Sequence, residues 1–234
     1  MNIAILLAGG KGTRMGTDIP KQYCVVDGQY IFAYSLKTFL TDEYTQAVVV
    51  VAAPEWQDLI EHEAQRIGWE QLFFALPGET RQESIFNALK RIAYEPDLNT
   101  DEESIVLIHD AARPLVSTTL IAHCYEACKE ADGAMPVIPV KDTTYYSEDG
   151  KHIHALLERQ CLWSGQAPEA FRFGPYYIAN ETMPLEERLK INGSTELAYQ
   201  QGLNVVMIPG DPMNFKITTP EDLSNFEAIQ QKKS

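Results

Sequence analysis

Positive charge is scarce in this sequence: 19 lysines and arginines stand against 33 aspartates and glutamates, for a formal charge of −14. Such a chain repels polyanions, so neither nucleic acid nor anionic membrane is an expected partner. No apolar run approaches the ~20 residues that cross a bilayer. No basic segment precedes the apolar start Met1-Asn2-Ile3-Ala4, which argues against a secretory signal and makes the cytoplasm the expected location. Cysteine is also sparse. Cys24, Cys124, Cys128 and Cys161 lack the paired C-x-x-C spacing of a zinc site. Cys124 and Cys128, beside His123, are expected to be buried apolar thiols rather than metal ligands. There is no internal repeat, low-complexity stretch or Pro/Ser linker, and the 234 residues are expected to form one domain, 1–234.

Few cations make their placement informative. The segment 6–22, LLAGGKGTRMGTDIPKQ, sets Lys11, Arg14 and Lys21 among Gly9, Gly10, Gly12 and Gly16, directly after an apolar run at 3–7. Glycines let backbone N–H groups approach an anion closely, and Arg and Lys neutralise phosphate charge. The segment is therefore read as a nucleoside-triphosphate loop that includes Leu7 and Ala8. It lacks the Gly-Lys-Ser/Thr ending of a P-loop, and Met15 stands where the dinucleotide fingerprint requires glycine. It fits L-x-x-G-x-G-x-R followed by Pro-Lys, a pattern that resembles nucleotidyltransferases acting on sugar phosphates.

Apolar runs at 3–7, 47–53, 72–76, 104–108 and 133–140 read as buried strands, and helical spacing falls at 31–40, 54–67, 80–93 and 120–129. The β-α alternation predicts a doubly wound, mostly parallel α/β sheet. Thr80 and Glu83 predict a capping box. Arg81 at that helix start opposes the helix dipole, so an anionic neighbour is expected. Asp110, at the end of a central strand, is read either as a metal ligand or as the ion-pair partner of Arg113. His109 is read as a packed neutral ring rather than a base. Residues 139–163 break the rhythm. Asp149-Gly150 between extended runs is a hairpin signal, and Tyr145, Tyr146, Ile153 and Leu156 need a cover. An interlocking arm and a homodimer are predicted. Residues 166–171 are read as a loop leading to a helix at 175–180. Another short helix is read from 192–196, a strand at 204–208, a loop at 210–219 placing Asn214 and Lys216, and a helix from an N-cap at Thr219 to about residue 230.

Taken in order, LLAGGKGTRM with PKQY, PGETRQESI, IHDAARP, PVKDT, ERQCLW, QAPEAF and NFKITTPEDL resemble the 2-C-methyl-D-erythritol 4-phosphate cytidylyltransferases and their relatives, the ribitol-5-phosphate cytidylyltransferases. The resemblance implies a Rossmann-like nucleotidyltransferase fold with a protruding β-hairpin arm. It implies an enzyme of isoprenoid biosynthesis that uses CTP and Mg²⁺ to convert a phosphorylated polyol into a CDP-polyol, releasing pyrophosphate. Arg14, Lys21 and Lys216 would then act on the triphosphate and its α-phosphorus. Gly78, Arg81, Ser84 and Ala111 would line the cytidine pocket with the Leu7–Gly12 loop, and Asp110 would hold the metal. Thr143 and Arg159 would reach the polyol phosphate of the neighbouring subunit, with Arg113 on the same substrate. Gln166-Ala167-Pro168-Glu169 departs from the family's usual Gln-Thr-Pro-Gln, and 194–196 matches its Thr-Asp-acid stretch loosely. Both fall on the polyol side. The alternatives are the ribitol acceptor, another sugar-phosphate nucleotidyltransferase, or a non-catalytic domain that binds nucleotide.

Overall fold

The computed structural model describes residues 1–10, 19–69, 72–101 and 103–232. In chain order its strands are β1 (Asn2–Leu7), β2 (Val25–Val26), β3 (Gln29–Tyr30), β4 (Ala47–Val51), β5 (Phe73–Ala75), β6 (Ile105–Asp110), β7 (Gly133–Pro139), β8 (Tyr145–Tyr146), β9 (Ala155–Leu156), β10 (Trp163–Gly165), β11 (Glu169–Arg172) and β12 (Val205–Pro209). The α-helices are α1 (Ile31–Thr41), α2 (Pro54–Arg66), α3 (Arg81–Tyr94), α4 (Thr118–Ala127), α5 (Phe173–Thr182), α6 (Leu185–Arg188), α7 (Ser194–Gln200) and α8 (Pro220–Gln231).

Eight strands form one sheet in the order β10-β7-β11-β6-β1-β4-β5, with β12 also paired to β7. β6, β1, β4 and β5 run parallel, as do β7 and β12. β10 and β11 run antiparallel to their neighbours, which makes the sheet mixed. The apolar runs are continuous because both faces are covered. Along β1, Ala4 and Leu6 pack with Phe32, Leu36, Val48 and Tyr125 on one side. Ile3 and Ile5 pack with Ile85, Leu89, Phe171 and Tyr176 on the other.

Two local readings change, and a hairpin not read from the sequence appears. The segment read as a 166–171 loop contains β11, docked antiparallel between β6 and β7; it is too short for an apolar pattern, and its pairing is decided by those neighbours. Val25–Val26 and Gln29–Tyr30 pair across Asp27-Gly28, where both residues have positive φ. This two-residue Asp-Gly hairpin signal stands plainly in the sequence. The capping box at α3 is half formed. Thr80 accepts from the Glu83 amide, while the Glu83 carboxylate is taken by Arg188 of α6. At α8 the box is complete between Thr219 and Asp222. The arm pairs Tyr145 with Leu156 and Tyr146 with Ala155, and Tyr145, Tyr146, Ile153, Leu156 and Trp163 are exposed.

Candidate active site

Strands β1, β4 and β6 end in register, with Leu7 opposite both Val51 and Asp110. Their carboxyl ends are where open α/β sheets bind ligands. The turn after β1 is fastened from below: Gln22 Nε2 donates to the carbonyls of Ala8 (2.6 Å) and Gly10 (2.7 Å), and the Tyr23 hydroxyl donates to Ala8 (3.1 Å). Tyr23 in turn stacks on Trp56 at 4.0 Å. Gly9 is required by close approach, since a Cβ there would lie 2.6 Å from Pro77 Cβ. Gly78 is required likewise, with Glu83 Cβ at 2.4 Å. Its amide donates to Ser84 Oγ (3.0 Å), which donates to the Thr80 carbonyl (3.0 Å). Between these two turns lies a cavity of about 460 Å³, lined by Leu7, Gly9, Gly10, Lys21, Gly78, Arg81, Ser84, Asp110 and Lys216, among others.

Three cations converge on Asp110 at the floor of this cavity. Arg81 Nε lies 3.2 Å from Oδ1; Lys216 Nζ and Arg113 Nε lie 2.9 and 3.6 Å from Oδ2. Burial alone would raise the Asp110 carboxyl, but Arg81, Lys216 and Arg113 outweigh it and hold the group well below the ordinary carboxylate range. Arg81 is raised in turn: burial opposes its charge, and Asp110 and Glu169 more than compensate. The anion expected beside Arg81 is therefore a pair of carboxylates. Lys216 reaches this point because its loop is tied to the 109–114 turn. The Ile217 amide donates to Ala112 (2.8 Å), and Arg113 donates to the Asn214 carbonyl (2.8 Å). Gln166 exchanges hydrogen bonds with the Asp211 backbone at 2.9 and 3.0 Å.

A second cavity of about 390 Å³ adjoins the first and shares Arg81, Asp110 and Lys216 with it. Its other walls include Arg113, Gln166, Glu169, Asn192 and Thr195. The Glu169 carboxylate, at the departure from the family pattern, accepts from Arg81 (3.3 Å), Ser194 Oγ (3.1 Å), the Thr195 amide (2.9 Å) and Thr195 Oγ1 (2.7 Å). The sequence marked Glu169 as a change but gave no sign of these partners, because they come from segments distant in the chain.

The remaining site expectations divide. Gly12 and Arg14, with Lys11, lie outside the described residues. Ala8 and Ala111 sit behind the cavity wall, with the Ala8 carbonyl and the Ala111 amide engaged in hydrogen bonds. Thr143 and Arg159 lie exposed on the arm, where Arg159 donates to the Lys141 carbonyl (2.8 Å), and neither lines these cavities. His109 is fully buried, with its Nε2 3.0 Å from the Arg113 carbonyl and its ring against Phe39. Burial lowers it to about 4, so it is neutral at pH 7. Cys124 and Cys128 are buried, as expected. Among the described residues no group of three His, Cys, Asp or Glu side chains could hold a metal ion. Both Asp110 oxygens already face cations, so this donor set does not fit a divalent ion held by the protein alone.

The family model for IspD, 2-C-methyl-D-erythritol 4-phosphate cytidylyltransferase, matches residues 2–232. A protein of that name from Geobacter metallireducens is 34% identical over 232 residues, covering 98% of this chain and 97% of its own. The chloroplastic protein of Oryza sativa subsp. japonica is 32% identical, covering 98% of this chain and 74% of its own. The crystal structure of 2-C-methyl-D-erythritol 4-phosphate cytidylyltransferase from Thermus thermophilus superposes with a TM-score of 0.76 at 26% identity, covering 99% of this chain and all of the other. With its glycine turns, its cation cluster and near-complete coverage in each comparison, this chain belongs to the 2-C-methyl-D-erythritol 4-phosphate cytidylyltransferase family.

Proposed function

We propose that this chain transfers CMP from CTP to 2-C-methyl-D-erythritol 4-phosphate and releases pyrophosphate. The observation that carries the reading is the cluster of Arg81, Arg113 and Lys216 on Asp110, shared by two adjoining cavities. A net-acidic protein has gathered positive charge where two phosphates would meet. CTP occupies the cavity walled by the glycine turns, and the acceptor phosphate enters the neighbouring one. A phosphate oxygen of the acceptor forms the new bond to the α-phosphorus, and the bond to the β-phosphate bridging oxygen breaks. The attacker is already an anion, so no protein base is needed, and the neutral, buried His109 is not required as one. Catalysis is alignment and charge stabilisation. Lys21 and Lys216 act on the triphosphate and the phosphorane oxygens, together with Arg14 of the glycine-rich sequence segment. Arg113 holds the acceptor phosphate.

Mg²⁺ belongs to this reading as the ion CTP carries, ligated chiefly by phosphate oxygens and water. Asp110 would be the one carboxylate to join that ion, and only by giving up one of its cation partners to the nucleotide. The exposed apolar arm supports a homodimer in which Thr143 and Arg159 serve the partner's acceptor cavity. The chain acts as one domain, 1–234, in the cytoplasm. Among the described residues no helix is long and apolar enough to cross a membrane.

The test is a pyrophosphate-release screen of CTP, ATP, GTP and UTP against methylerythritol 4-phosphate and ribitol 5-phosphate. Release with CTP and methylerythritol 4-phosphate is expected to exceed every other pairing. Preference for ribitol 5-phosphate would overturn the acceptor, and no release from any pairing would overturn the reaction.

A further inference from the structure

The reaction scheme assigns nothing to Glu169, yet its side chain, about nine-tenths buried, is among the most heavily engaged in the molecule. Oε1 accepts from Arg81 Nη2 (3.3 Å) and Ser194 Oγ (3.1 Å). Oε2 accepts from the Thr195 amide (2.9 Å) and Thr195 Oγ1 (2.7 Å). Four donors use up the roughly four lone-pair directions a carboxylate offers. No acceptor site is left for a substrate hydroxyl. Arg81 extends the same lattice, with Nε on Asp110 (3.2 Å) and Nη1 on Ser194 Oγ (2.6 Å). One carboxylate from β11 thus ties the first residue of α3 to the first turn of α7.

We infer that Glu169 is a positioning residue for the acceptor. It holds the Arg81 guanidinium on the wall between the two cavities and fixes Ser194 and Thr195 at the edge of the second. The inference rests on the acceptor occupying that second cavity. Without Glu169, Arg81 keeps only Asp110 among its carboxylate partners, and Asp110 is already shared with Arg113 and Lys216. The Thr195 amide and hydroxyl lose their acceptor. Arg81 also lines the first cavity, but there it keeps its ion pair to Asp110 beside unchanged glycine turns and Lys21, so CTP binding changes far less than acceptor binding.

The test compares the full-length parent with Glu169→Ala and Glu169→Gln. Glutamine offers one acceptor oxygen, so it serves Arg81 or Thr195 but not both. A lost charge-assisted hydrogen bond corresponds to a change of about tenfold or more. The expected result is an acceptor KM raised about tenfold in Glu169→Ala and less in Glu169→Gln, with the CTP Kd from calorimetry within about threefold of the parent. Hydrogen exchange at the Thr195 amide is expected to accelerate in Glu169→Ala, while the β1, β4 and β6 amides hold. An unchanged acceptor KM, equal losses for CTP and acceptor, or unaltered exchange at Thr195 would each overturn the inference. If the parent turns over no polyol phosphate, the functional reading falls. Exchange at the Thr195 amide and of the Arg81 Nη2 protons, which donate to Glu169, then decides the positioning role alone.

Discussion

Replacing Lys216 with methionine keeps the aliphatic stem and removes only the charge, so it separates chemistry from folding. Lys216 Nζ lies 2.9 Å from Asp110 Oδ2, and the side chain is 31% exposed. A partly exposed pair of this kind contributes up to about 1 kcal/mol to stability. For a chain of 234 residues that corresponds to a Tm lower by about 2–4 °C. Asp110 keeps Arg81 and Arg113, so its charge is not orphaned. The loss in catalysis is larger. A cation lost from developing phosphorane charge in a site sheltered from water costs about 3 kcal/mol, or roughly 100-fold in kcat. Pyrophosphate release at saturating CTP and acceptor reads kcat, and a thermal melt on the same sample reads the fold. A kcat within about threefold of the parent, with the fold intact, would refute the placement of Lys216 at the reacting phosphorus.

Three further outcomes follow from the same geometry. His109 titrates from an ordinary 6.5 down to about 4 through burial, so the unfolded chain binds its proton first and stability falls as pH drops through that window. The lost contribution is roughly 3 kcal/mol by pH 4. Asp110, depressed from 3.8, adds a second loss below that pH. Melts across pH 7 to 3 are expected to show the first slope in the parent and a flatter one in His109→Leu. Gly78→Ala places a Cβ 2.4 Å from Glu83 Cβ and 3.0 Å from the Ser84 amide nitrogen, which costs about 1–3 kcal/mol of overpacking; its Tm and CTP affinity are both expected to fall. Charge on the arm, as Leu156→Glu with Trp163→Glu, is expected to shift the mass measured by light scattering from dimer to monomer and to abolish turnover while CTP still binds.

Legibility followed the range of the interactions. β1, β4 and β6 are apolar along most of their length because both faces are buried, and continuous apolar runs reveal that directly. Thr219 and Asp222 announce α8 because a cap is local. β11 carries only Glu-Ala-Phe-Arg after a proline, and becomes a strand because β6 and β7 leave a slot between them. The cation cluster was half visible. Asp110 and Arg113 share one turn, whereas Arg81 and Lys216 come from segments separated by 135 positions (216 − 81). Glu169 was visible only as an unexpected carboxylate, because its four donors belong to Arg81, Ser194 and Thr195. Gln22 and Tyr23, which fasten the turn after β1, gave no composition signal, since their partners are backbone carbonyls.

A crystal structure with CTP and Mg²⁺ bound asks most directly whether this cation cluster receives the nucleotide's phosphates. The expected density places the base against Gly78 and Ser84 and the triphosphate along Gly9, Gly10 and Lys21, with Lys216 Nζ within hydrogen-bonding distance of the α-phosphate. A nucleotide bound elsewhere, or Lys216 turned into solvent with the α-phosphate untouched, would contradict it.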